Sequence, residues 1–310
     1  MIQDQTALVA LDWGTSSLRA ARLDGNGRVL EERALPCGIL TIAANGFASF
    51  FEANFGHWMW EKSTLCLISG MAGSQQGWME APYCACPAGF EEVAAALTWI
   101  EPHRIAIVPG LSCEHAHAPD VMRGEEMQIF GAMQLTGLRD GMFVLPGTHS
   151  KWAQVRDGRI TTFKTYMTGE FYALLSQHSI LAKSMLADAD APFDADAFAQ
   201  GVTAAQAGAG LLHTAFSART LSLFSRLSAT ALPSYLSGLV IGEELRLQMP
   251  GASTVEPAAG SDVVLIGSSA LTARYSQALA LHGVRSQSLG SEATWAGLYA
   301  LAGSVEQLSQ

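Results

Sequence analysis

Three short segments of the chain each join a predicted strand to a turn rich in glycine and hydroxyl side chains. They are residues 10–19 (ALDWGTSSLR), 144–152 (VLPGTHSKW) and 264–269 (VLIGSS). Glycine allows the backbone to approach a ligand, and consecutive N–H groups with nearby hydroxyls can bind anionic oxygens such as those of phosphate. Taken alone, each turn is more often an ordinary hairpin than a ligand site.

The turns also carry groups that suit phosphate chemistry. Asp12 ends the first predicted strand, where a carboxylate can hold Mg²⁺ directly or through water. The candidate phosphate ligands beside it are Gly14, Thr15, Ser16 and Arg19. The second turn adds Gly147, Thr148, His149, Ser150 and Lys151, and the third adds Gly267 and Ser268. The chain has neither G-x-x-x-x-G-K-[ST] nor G-x-G-x-x-G, so neither a P-loop nor a Rossmann dinucleotide site is expected.

The composition indicates a protein with a large core and without a polyanionic partner. Of 310 residues, 49% are hydrophobic and 15% are charged, which excludes a disordered chain. The net charge of −10 argues against nucleic acid as a partner, and an anionic substrate must therefore meet a local Lys or Arg. The sequence shows no secretory signal, no membrane-spanning run and no zinc or disulfide spacing among its five cysteines. We expect a cytoplasmic protein with reduced thiols, and its oligomeric state stays open.

Two similar series of predicted elements position the turns. Strands at residues 6–11, 18–23 and 28–35 precede a helix, a strand, a second helix and a strand. After a helix at residues 126–135, a second group of three strands begins at residue 142, and helices and a last strand follow. The change of element pattern predicts two domains, residues 1–122 and 123–310.

The order of the turns resembles that of the sugar kinase/heat-shock chaperone/actin superfamily. D-W-G-T-S-S-x-R resembles its first phosphate motif, L-P-G-T-H-S-K-W its second and V-L-I-G-S its adenosine motif. More narrowly, the chain resembles the 2-dehydro-3-deoxygalactonokinases over essentially its whole length. Strings that carry this resemblance include residues 70–83 (GMAGSQQGWMEAPY), 120–128 (DVMRGEEMQ), 166–170 (YMTGE) and 234–245 (SYLSGLVIGEEL).

This resemblance implies an actin-like (ribonuclease H-like) α/β fold with two domains, each a mixed sheet with flanking helices, and with ATP in the cleft between them. It also implies phosphorylation of the C6 hydroxyl of 2-dehydro-3-deoxy-D-galactonate by ATP with Mg²⁺, a step of galactonate breakdown. Lys164 departs from the pattern, which has Arg there; Lys keeps the charge but loses a bidentate fork.

The catalytic base is expected at the start of the helix near residue 125. Residues 123–131 resemble the helix start of the glycerol and xylulose kinase group, in which the acid after glycine is the base. On that match Glu125 is the base, Asp120 is the alternative, and Glu126 points away from the reaction because adjacent helical residues diverge by about 100°. The competing interpretation is that both glutamates only stabilise a helix N-terminus.

The substrate ligands are expected in residues 70–83 and among three cations. Neutral donors and acceptors suit sugar hydroxyls and an indole ring suits an apolar sugar face, which makes candidates of Ser74, Gln75, Gln76 and Trp78. The alternative is a polar loop over a buried Trp78. The substrate carboxylate requires a cation, and the sequence does not rank Arg123, Lys151 and Lys164. His149 could contact a phosphate, the sugar or only the backbone.

Two other functions stay open at this point. One is a kinase for another 2-keto-3-deoxy sugar acid, such as the gluconate epimer, because a single hydroxyl centre distinguishes these substrates. The other is a non-catalytic module that senses sugar or ATP on the same fold. The presence of Asp12, Glu125 and the complete second turn favours an enzyme.

Overall fold

The computed structural model describes residues 5–185, 192–249 and 262–308. These residues form two compact units. Unit 1 comprises the described part of Met1–Gly141, Ala153–Phe163 and Leu289–Gln310, and unit 2 comprises that of Met142–Trp152 and Lys164–Ser288. The domain boundary predicted after residue 122 stays a prediction.

The predicted strands and helices occur in the predicted order, and the structure adds several short elements and a long carboxyl-terminal helix. The strands are β1 (Leu8–Trp13), β2 (Leu18–Leu23), β3 (Val29–Leu35), β4 (Leu65–Gly70), β5 (Tyr83–Ala85), β6 (Thr98–Glu101), β7 (Ile105–Ile107), β8 (Gly110–Glu114), β9 (Pro119–Met122), β10 (Gly141–Leu145), β11 (Ser150–Arg156), β12 (Arg159–Tyr166), β13 (Val263–Ile266) and β14 (Ser286–Leu289). The α-helices are α1 (Phe47–Phe55), α2 (Phe90–Ala95), α3 (Glu125–Thr136), α4 (Thr168–His178), α5 (Ala195–Gln206), α6 (Leu211–Thr214), α7 (Ser217–Leu223), α8 (Leu232–Gln248), α9 (Ser269–Leu281) and α10 (Glu292–Leu308).

The six-stranded sheet of unit 1 places the first turn at the end of a buried strand. Its strand order is β3-β2-β1-β4-β7-β6, with β1 antiparallel to β2 and parallel to β4. In β1, which reads L-V-A-L-D-W, every residue except Asp12 is buried. Such an apolar run is typical of a central strand covered on both faces. Asp12 therefore lies at the carboxyl end of the strand, the end at which open α/β sheets bind ligands.

A second sheet repeats this arrangement around the second and third turns. Its order is β12-β11-β10-β13-β14, and β10 is parallel to β13. The first sheet has one extra edge strand, β6. If β6 is left out and the other strands of each sheet are numbered along the chain, both sheets have the order 3-2-1-4-5. Together with the flanking helices, this repeated order is the actin-like fold, and the predicted fold class is confirmed.

Each unit has its own hydrophobic core. In unit 1 the aromatic side chains of α1 pack on Trp13 of β1, and in unit 2 α8 is buried over most of its length. Helix α8 packs closely on α5, because a Cβ atom added to Gly238 would lie only 2.0 Å from the carbonyl oxygen of Phe198. This close packing fixes the position of the residues at the carboxyl end of α8.

A small sheet in unit 1 was not predicted. Its order is β5-β8-β9, and Asp120 of β9 lies opposite Cys113 of β8. Its strands are three to five residues long, too short to produce a clear alternation in the sequence. Within the described residues, no helix is both long and apolar enough to cross a membrane.

Candidate active site

The first turn exposes hydroxyl groups beside a partly exposed carboxylate. Asp12 on β1 is paired in register with Arg19 on β2, and Asp12 Oδ2 accepts a hydrogen bond from Arg19 Nη2 at 2.5 Å. Thr15 and Ser16 are exposed. The amide of Gly14 donates to the Ser17 carbonyl at 2.8 Å, which closes the turn. The predicted ligands of this turn therefore lie together at one end of the sheet.

A segment that the sequence did not single out supports this turn. The indole Nε1 of Trp13 donates to the Cys37 carbonyl at 3.1 Å, and the amide of Ile39 donates to the Gly14 carbonyl at 3.0 Å. Gly38 packs directly on the turn, since a Cβ atom added there would lie 2.1 Å from the Thr15 carbonyl oxygen. The turn is thus held by backbone contacts, which leave its hydroxyl side chains unobstructed.

Two glycines keep the space beside Asp12 clear. Gly70, at the end of β4, has φ of +89°, and an added Cβ atom would lie 2.8 Å from the Trp13 carbonyl oxygen and 3.3 Å from Asp12 Oδ1. Gly124 has φ of +106°, and its added Cβ atom would lie 3.2 Å from the Gly70 Cα atom and 3.9 Å from Asp12 Oδ1. Because side chains rarely adopt these φ values, glycine is required at both positions. The start of α3 therefore lies next to Asp12.

The predicted base and its neighbour lie at this helix start in different environments. Glu125 is partly buried, and its Oε2 accepts a hydrogen bond from the backbone amide of Arg123 at 2.9 Å. Glu126 is completely buried, and its two oxygens accept from the Gly124 amide at 3.0 and 2.7 Å. Burial, with a smaller contribution from the Glu125 carboxylate, raises the pKa of Glu126 to about 8. Both carboxylates thus accept backbone amides at the start of α3, and the choice between a catalytic and a purely structural role for Glu125 stays a prediction.

Asp120, the alternative base, lies within β9 rather than at the helix start. Its Oδ1 accepts a hydrogen bond from the Val121 amide at 2.8 Å. The choice of Glu125 over Asp120 stays a prediction.

A cavity of about 320 Å³ in unit 1 is lined by several of the predicted substrate ligands. Ser74, Gln75 and Gln76 line it together with Glu80, Tyr83 and Arg123. Hydroxyl, amide and charged groups therefore surround a space large enough for a small polyhydroxylated molecule. The loop at residues 70–83 and Arg123, which lies just before α3, thus line the same cavity.

Arg123 is held rigidly in the wall of this cavity. Its Nη2 donates to the Ala81 carbonyl at 2.8 Å, and its guanidinium carbon lies 4.3 Å from the centre of the Tyr83 ring. Its Nε and Nη1 are buried and have no hydrogen-bond partner among the described residues. Buried donors without a partner are rare in proteins.

Trp78 lies in the aromatic core and is absent from the residues that line the cavity. Its ring is stacked on Phe47 at 6.4 Å and lies 5.5 Å from Phe51 and 6.3 Å, edge-on, from Trp13. These contacts correspond to the alternative of a polar loop over a packed indole. Its role as a sugar contact stays a prediction.

The second turn, in unit 2, has exposed and buried members. Thr148 and His149 are exposed, and His149 Nε2 lies 2.6 Å from Glu170 Oε2 at the start of α4. The turn and α4 are in close contact, because a Cβ atom added to Gly169 would lie 2.5 Å from the Gly147 carbonyl oxygen. The amide of Glu170 also donates to the Thr148 carbonyl at 3.1 Å.

The last two candidate ligands of the second turn point into the protein. Ser150 is completely buried and donates to Glu244 Oε1 at 2.7 Å. Lys151 is 6% exposed, and its Nζ donates to Thr165 Oγ1 at 2.7 Å. Lys164 is exposed on β12. The part that each of these three side chains plays in ligand binding stays a prediction.

The third turn lies beside the second. Gly267 has φ of +157°, and an added Cβ atom would lie 3.5 Å from the Pro146 carbonyl oxygen. Ser268 is exposed and precedes α9. A small cavity of about 60 Å³ is lined by Gly147 and by Leu271 and Arg274 of α9, among others. The two motifs of unit 2 therefore share one edge of the second sheet, as parallel neighbouring strands require.

Comparison with known proteins decides the family. The model of the 2-keto-3-deoxy-galactonokinase family matches residues 12–301. This chain belongs to that family. A protein of Escherichia coli (strain K12) named 2-dehydro-3-deoxygalactonokinase is 33% identical over 96% of this chain and 98% of its own length. A protein of Rhizobium meliloti (strain 1021), provisionally named 2-dehydro-3-deoxygalactonokinase DgoK1, is 35% identical over 96% of both chains.

A solved structure gives the same result for the fold. A protein from Sinorhizobium meliloti, described as a candidate 2-dehydro-3-deoxygalactonokinase, superimposes with a TM-score of 0.86 at 35% identity, over 96% of this chain and 99% of that one. The family resemblance predicted from the sequence is confirmed.

For a member of this kinase family, the residues around Asp12 fit a nucleotide with one bound Mg²⁺. The glycines at positions 70 and 124 leave space beside the Asp12 carboxylate that a side chain would fill. In the described part of the chain, no three His, Cys, Asp or Glu residues are grouped to hold a metal ion. A single carboxylate together with phosphate oxygens and waters is the usual way in which Mg²⁺ is bound at kinase sites.

Proposed function

We propose that this protein transfers the γ-phosphoryl group of ATP to the C6 hydroxyl of 2-dehydro-3-deoxy-D-galactonate, giving 2-dehydro-3-deoxy-6-phosphogalactonate and ADP. Membership of the family supports the reaction. The observation that supports an acidic sugar is the cavity whose wall contains the cation Arg123. In a chain with a net charge of −10, such a local cation is required to bind a carboxylate. We place the enzyme in the cytoplasm as part of this proposal.

The polar side chains of the cavity would bind the carboxylate and the hydroxyl groups of the substrate. Arg123 would hold the carboxylate, because its side chain lines the cavity and a guanidinium matches a planar carboxylate. Ser74, Gln75 and Gln76 would hydrogen-bond the hydroxyls. Tyr83 stacks on Arg123 and would fix the orientation of the guanidinium when the ligand is bound.

The chemical step requires a proton acceptor near the C6 hydroxyl. Glu125 is our candidate: its carboxylate would take the hydroxyl proton while the C6 oxygen forms a bond to the γ-phosphorus. The bond from that phosphorus to the bridging oxygen breaks, and ADP leaves. Positioning and charge neutralisation supply most of the catalysis in such reactions. Mg²⁺, held by Asp12 in this proposal, would neutralise phosphate charge when it is bound.

Each unit contains candidate ligands for nucleotide phosphates. In unit 1 these are the exposed hydroxyls of Thr15 and Ser16, and in unit 2 they are Gly147 and the exposed side chains of Thr148 and His149. Arg19 already pairs with Asp12, so its first effect is to fix the orientation of that carboxylate.

The proposal is tested by following ADP release with ATP, Mg²⁺ and a panel of 2-keto-3-deoxy sugar acids, including the gluconate epimer, and their neutral sugar counterparts. We expect turnover with the galactonate derivative and a preference for acids over neutral sugars. Arg123→Gln should raise the KM for the acid by about 10- to 100-fold, the loss of a hydrogen bond to a charged group, while ATP KM changes little.

Lys164→Gln provides the matched control, because it removes an exposed cation that was also a candidate for the carboxylate. If Lys164→Gln raises the acid KM and Arg123→Gln does not, the carboxylate is bound by the other cation. A preference for the gluconate epimer would mean that this epimer is the substrate. Binding of nucleotide without turnover of any sugar acid would favour the non-catalytic sensing module.

A further inference from the structure

A buried glutamate in unit 2 is connected to three elements around the second and third turns. Glu244, on α8, is 2% exposed. Its Oε1 accepts hydrogen bonds from Ser150 Oγ at 2.7 Å and Trp152 Nε1 at 2.5 Å. Its Oε2 accepts from Tyr275 Oη at 2.7 Å and from Thr168 Oγ1. All four donors are neutral side chains, so these bonds fix the carboxylate without neutralising it.

Each of the three elements reaches a predicted nucleotide-binding segment within a few residues. Ser150 ends the second turn, and Thr168 begins α4, whose next residue packs against Gly147 of that turn. Tyr275 lies on α9, the helix that follows the third turn at Gly267. One carboxylate therefore joins β11, α4 and α9, the elements that fix the position of these two turns.

Burial of a carboxylate is unfavourable even with four donors. The loss of water around Glu244 raises its pKa, although the hydrogen bonds from Thr168, Trp152, Ser150 and Tyr275 each oppose this. An apolar side chain would fill the same place at lower cost if packing were its only role. The strings at residues 166–170 and 234–245, which first pointed to the family, contain Thr168 and Glu244.

We infer that Glu244 is a positioning residue for the nucleotide: it holds the second turn, α4 and α9 in the arrangement that binds ATP phosphates and adenosine. The inference rests on the proposed function, since it requires that these turns bind a nucleotide. Its oxygens are already engaged by four donors, so Glu244 acts through the turns and not by contact with the nucleotide.

The test removes one hydroxyl that donates to Glu244 and compares this variant with one that loses a buried hydroxyl elsewhere in unit 2. Tyr275→Phe removes the hydroxyl that binds Glu244. Tyr235→Phe is the matched control: Tyr235 is also 2% exposed or less, and its hydroxyl lies 2.6 Å from Ser217 Oγ, away from Glu244. Both variants lose one buried hydroxyl contact, so both should lower Tm by a similar amount.

The two variants should differ in nucleotide binding. We expect Tyr275→Phe to raise the ATP KM and the ATP Kd by about tenfold, as for the loss of one charge-assisted hydrogen bond, with the sugar acid KM within about twofold of wild type. Tyr235→Phe should leave the ATP KM and Kd unchanged. Thr168→Val should behave as Tyr275→Phe does, and Thr168→Ser, which keeps the hydroxyl, should restore ATP binding.

Measurement of ATP Kd by calorimetry separates the two proposals. A wild-type protein that binds ATP but phosphorylates no sugar acid would overturn the proposed function alone, and the Kd comparison would still test Glu244. If Tyr275→Phe and Tyr235→Phe lower Tm equally and both keep the wild-type ATP Kd, Glu244 is only structural and the inference is overturned. A wild-type protein that binds no nucleotide overturns both.

Discussion

Each of the first two turns lies beside a carboxylate, but the two carboxylates differ in environment. The side chain of Asp12, at the first turn, is 16% exposed and is paired with the cation Arg19. Glu244, next to the second turn, is 2% exposed and accepts hydrogen bonds from four neutral donors. The first turn is held by backbone contacts with the segment at Gly38 and Ile39. The second is held through a buried side-chain network. The same strand order thus supports its two phosphate turns in two different ways.

This difference in environment indicates which acidic side chains have space to contact a metal ion or a substrate. A carboxylate that is partly exposed beside glycines at positions 70 and 124 has room for a metal ion or a reacting hydroxyl. A carboxylate whose lone pairs are occupied by four donors has no such room and can only hold other groups in place. On this basis we assign chemistry to Asp12 and Glu125 and positioning to Glu244.

The largest expected effect tests the chemical side of this comparison. Glu125→Gln keeps the shape of the side chain, and its amide oxygen can still accept from the Arg123 amide. It cannot accept the hydroxyl proton, so kcat should fall by about 10²–10⁴-fold while the KM values change only a few-fold. Steady-state kinetics with both substrates measure this.

Asp120→Asn is the comparison for that experiment, because Asp120 is the alternative base and lies in β9. It should change kcat by less than about tenfold. A severe loss in Asp120→Asn together with a mild effect in Glu125→Gln would move the base to Asp120 on β9 and would show that the match to the carbohydrate kinase helix start is wrong.

A smaller effect is expected when the space beside the Asp12 carboxylate is filled. Gly70→Ala would place a Cβ atom 2.8 Å from the Trp13 carbonyl oxygen at a φ of +89°. The free energy of unfolding should fall by about 1–3 kcal/mol, with loss of kcat as the Asp12 carboxylate is displaced. Urea denaturation and kinetics give the two values. Gly25→Ala is the control, since nothing lies within 4 Å of its added Cβ atom; an equal effect in both variants would contradict the role of this clearance.

The smallest effect concerns Glu126, the buried acid in unit 1. Its pKa is raised from 4.5 to about 8. Between these two pH values, the folded chain therefore keeps a proton on Glu126 that the unfolded chain has released. The free energy of unfolding should therefore fall as pH rises through the window. Glu126→Gln cannot titrate, and its amide oxygen can still accept from Gly124. The fall in unfolding free energy between about pH 5 and pH 8 should be smaller by at least about 1 kcal/mol in the variant.

Denaturation curves at several pH values measure that difference. Glu91→Gln, an exposed position on α2, should leave the pH dependence as in wild type. Because burial also raises the pKa of Glu244, part of the wild-type slope should persist in Glu126→Gln. An unchanged slope in Glu126→Gln would mean that Glu126 is ionised in the folded protein.

Much of the fold could be predicted from local pattern. β2 has the predicted bounds, residues 18–23, because turn residues lie on both sides of it. The short strands β5, β8 and β9 were missed, since three to five residues show no periodicity. α10 was also missed, because its place depends on packing against α3 that is distant in sequence.

The site was predictable where one short segment contains both the turn and its ligands. Asp12 and Arg19 are seven residues apart and are paired across one hairpin, so their association follows from local sequence. Glu244 and its partner Ser150 are 94 residues apart, and no pattern in the sequence links them. The contact of Gly38 with the first turn depends equally on a tertiary approach. Candidate ligands were therefore easier to find than the residues that hold them in place.

The contact between Ile39 and the first turn has a consequence for measurement. The amide hydrogen of Ile39 is bonded to the Gly14 carbonyl, so it can exchange with deuterium in solution only when the turn separates from the segment beneath it. Its exchange rate therefore reports the free energy with which the turn opens, in the free protein and at every nucleotide concentration. One backbone amide can thus report the local stability of the turn without a substrate or a mutation.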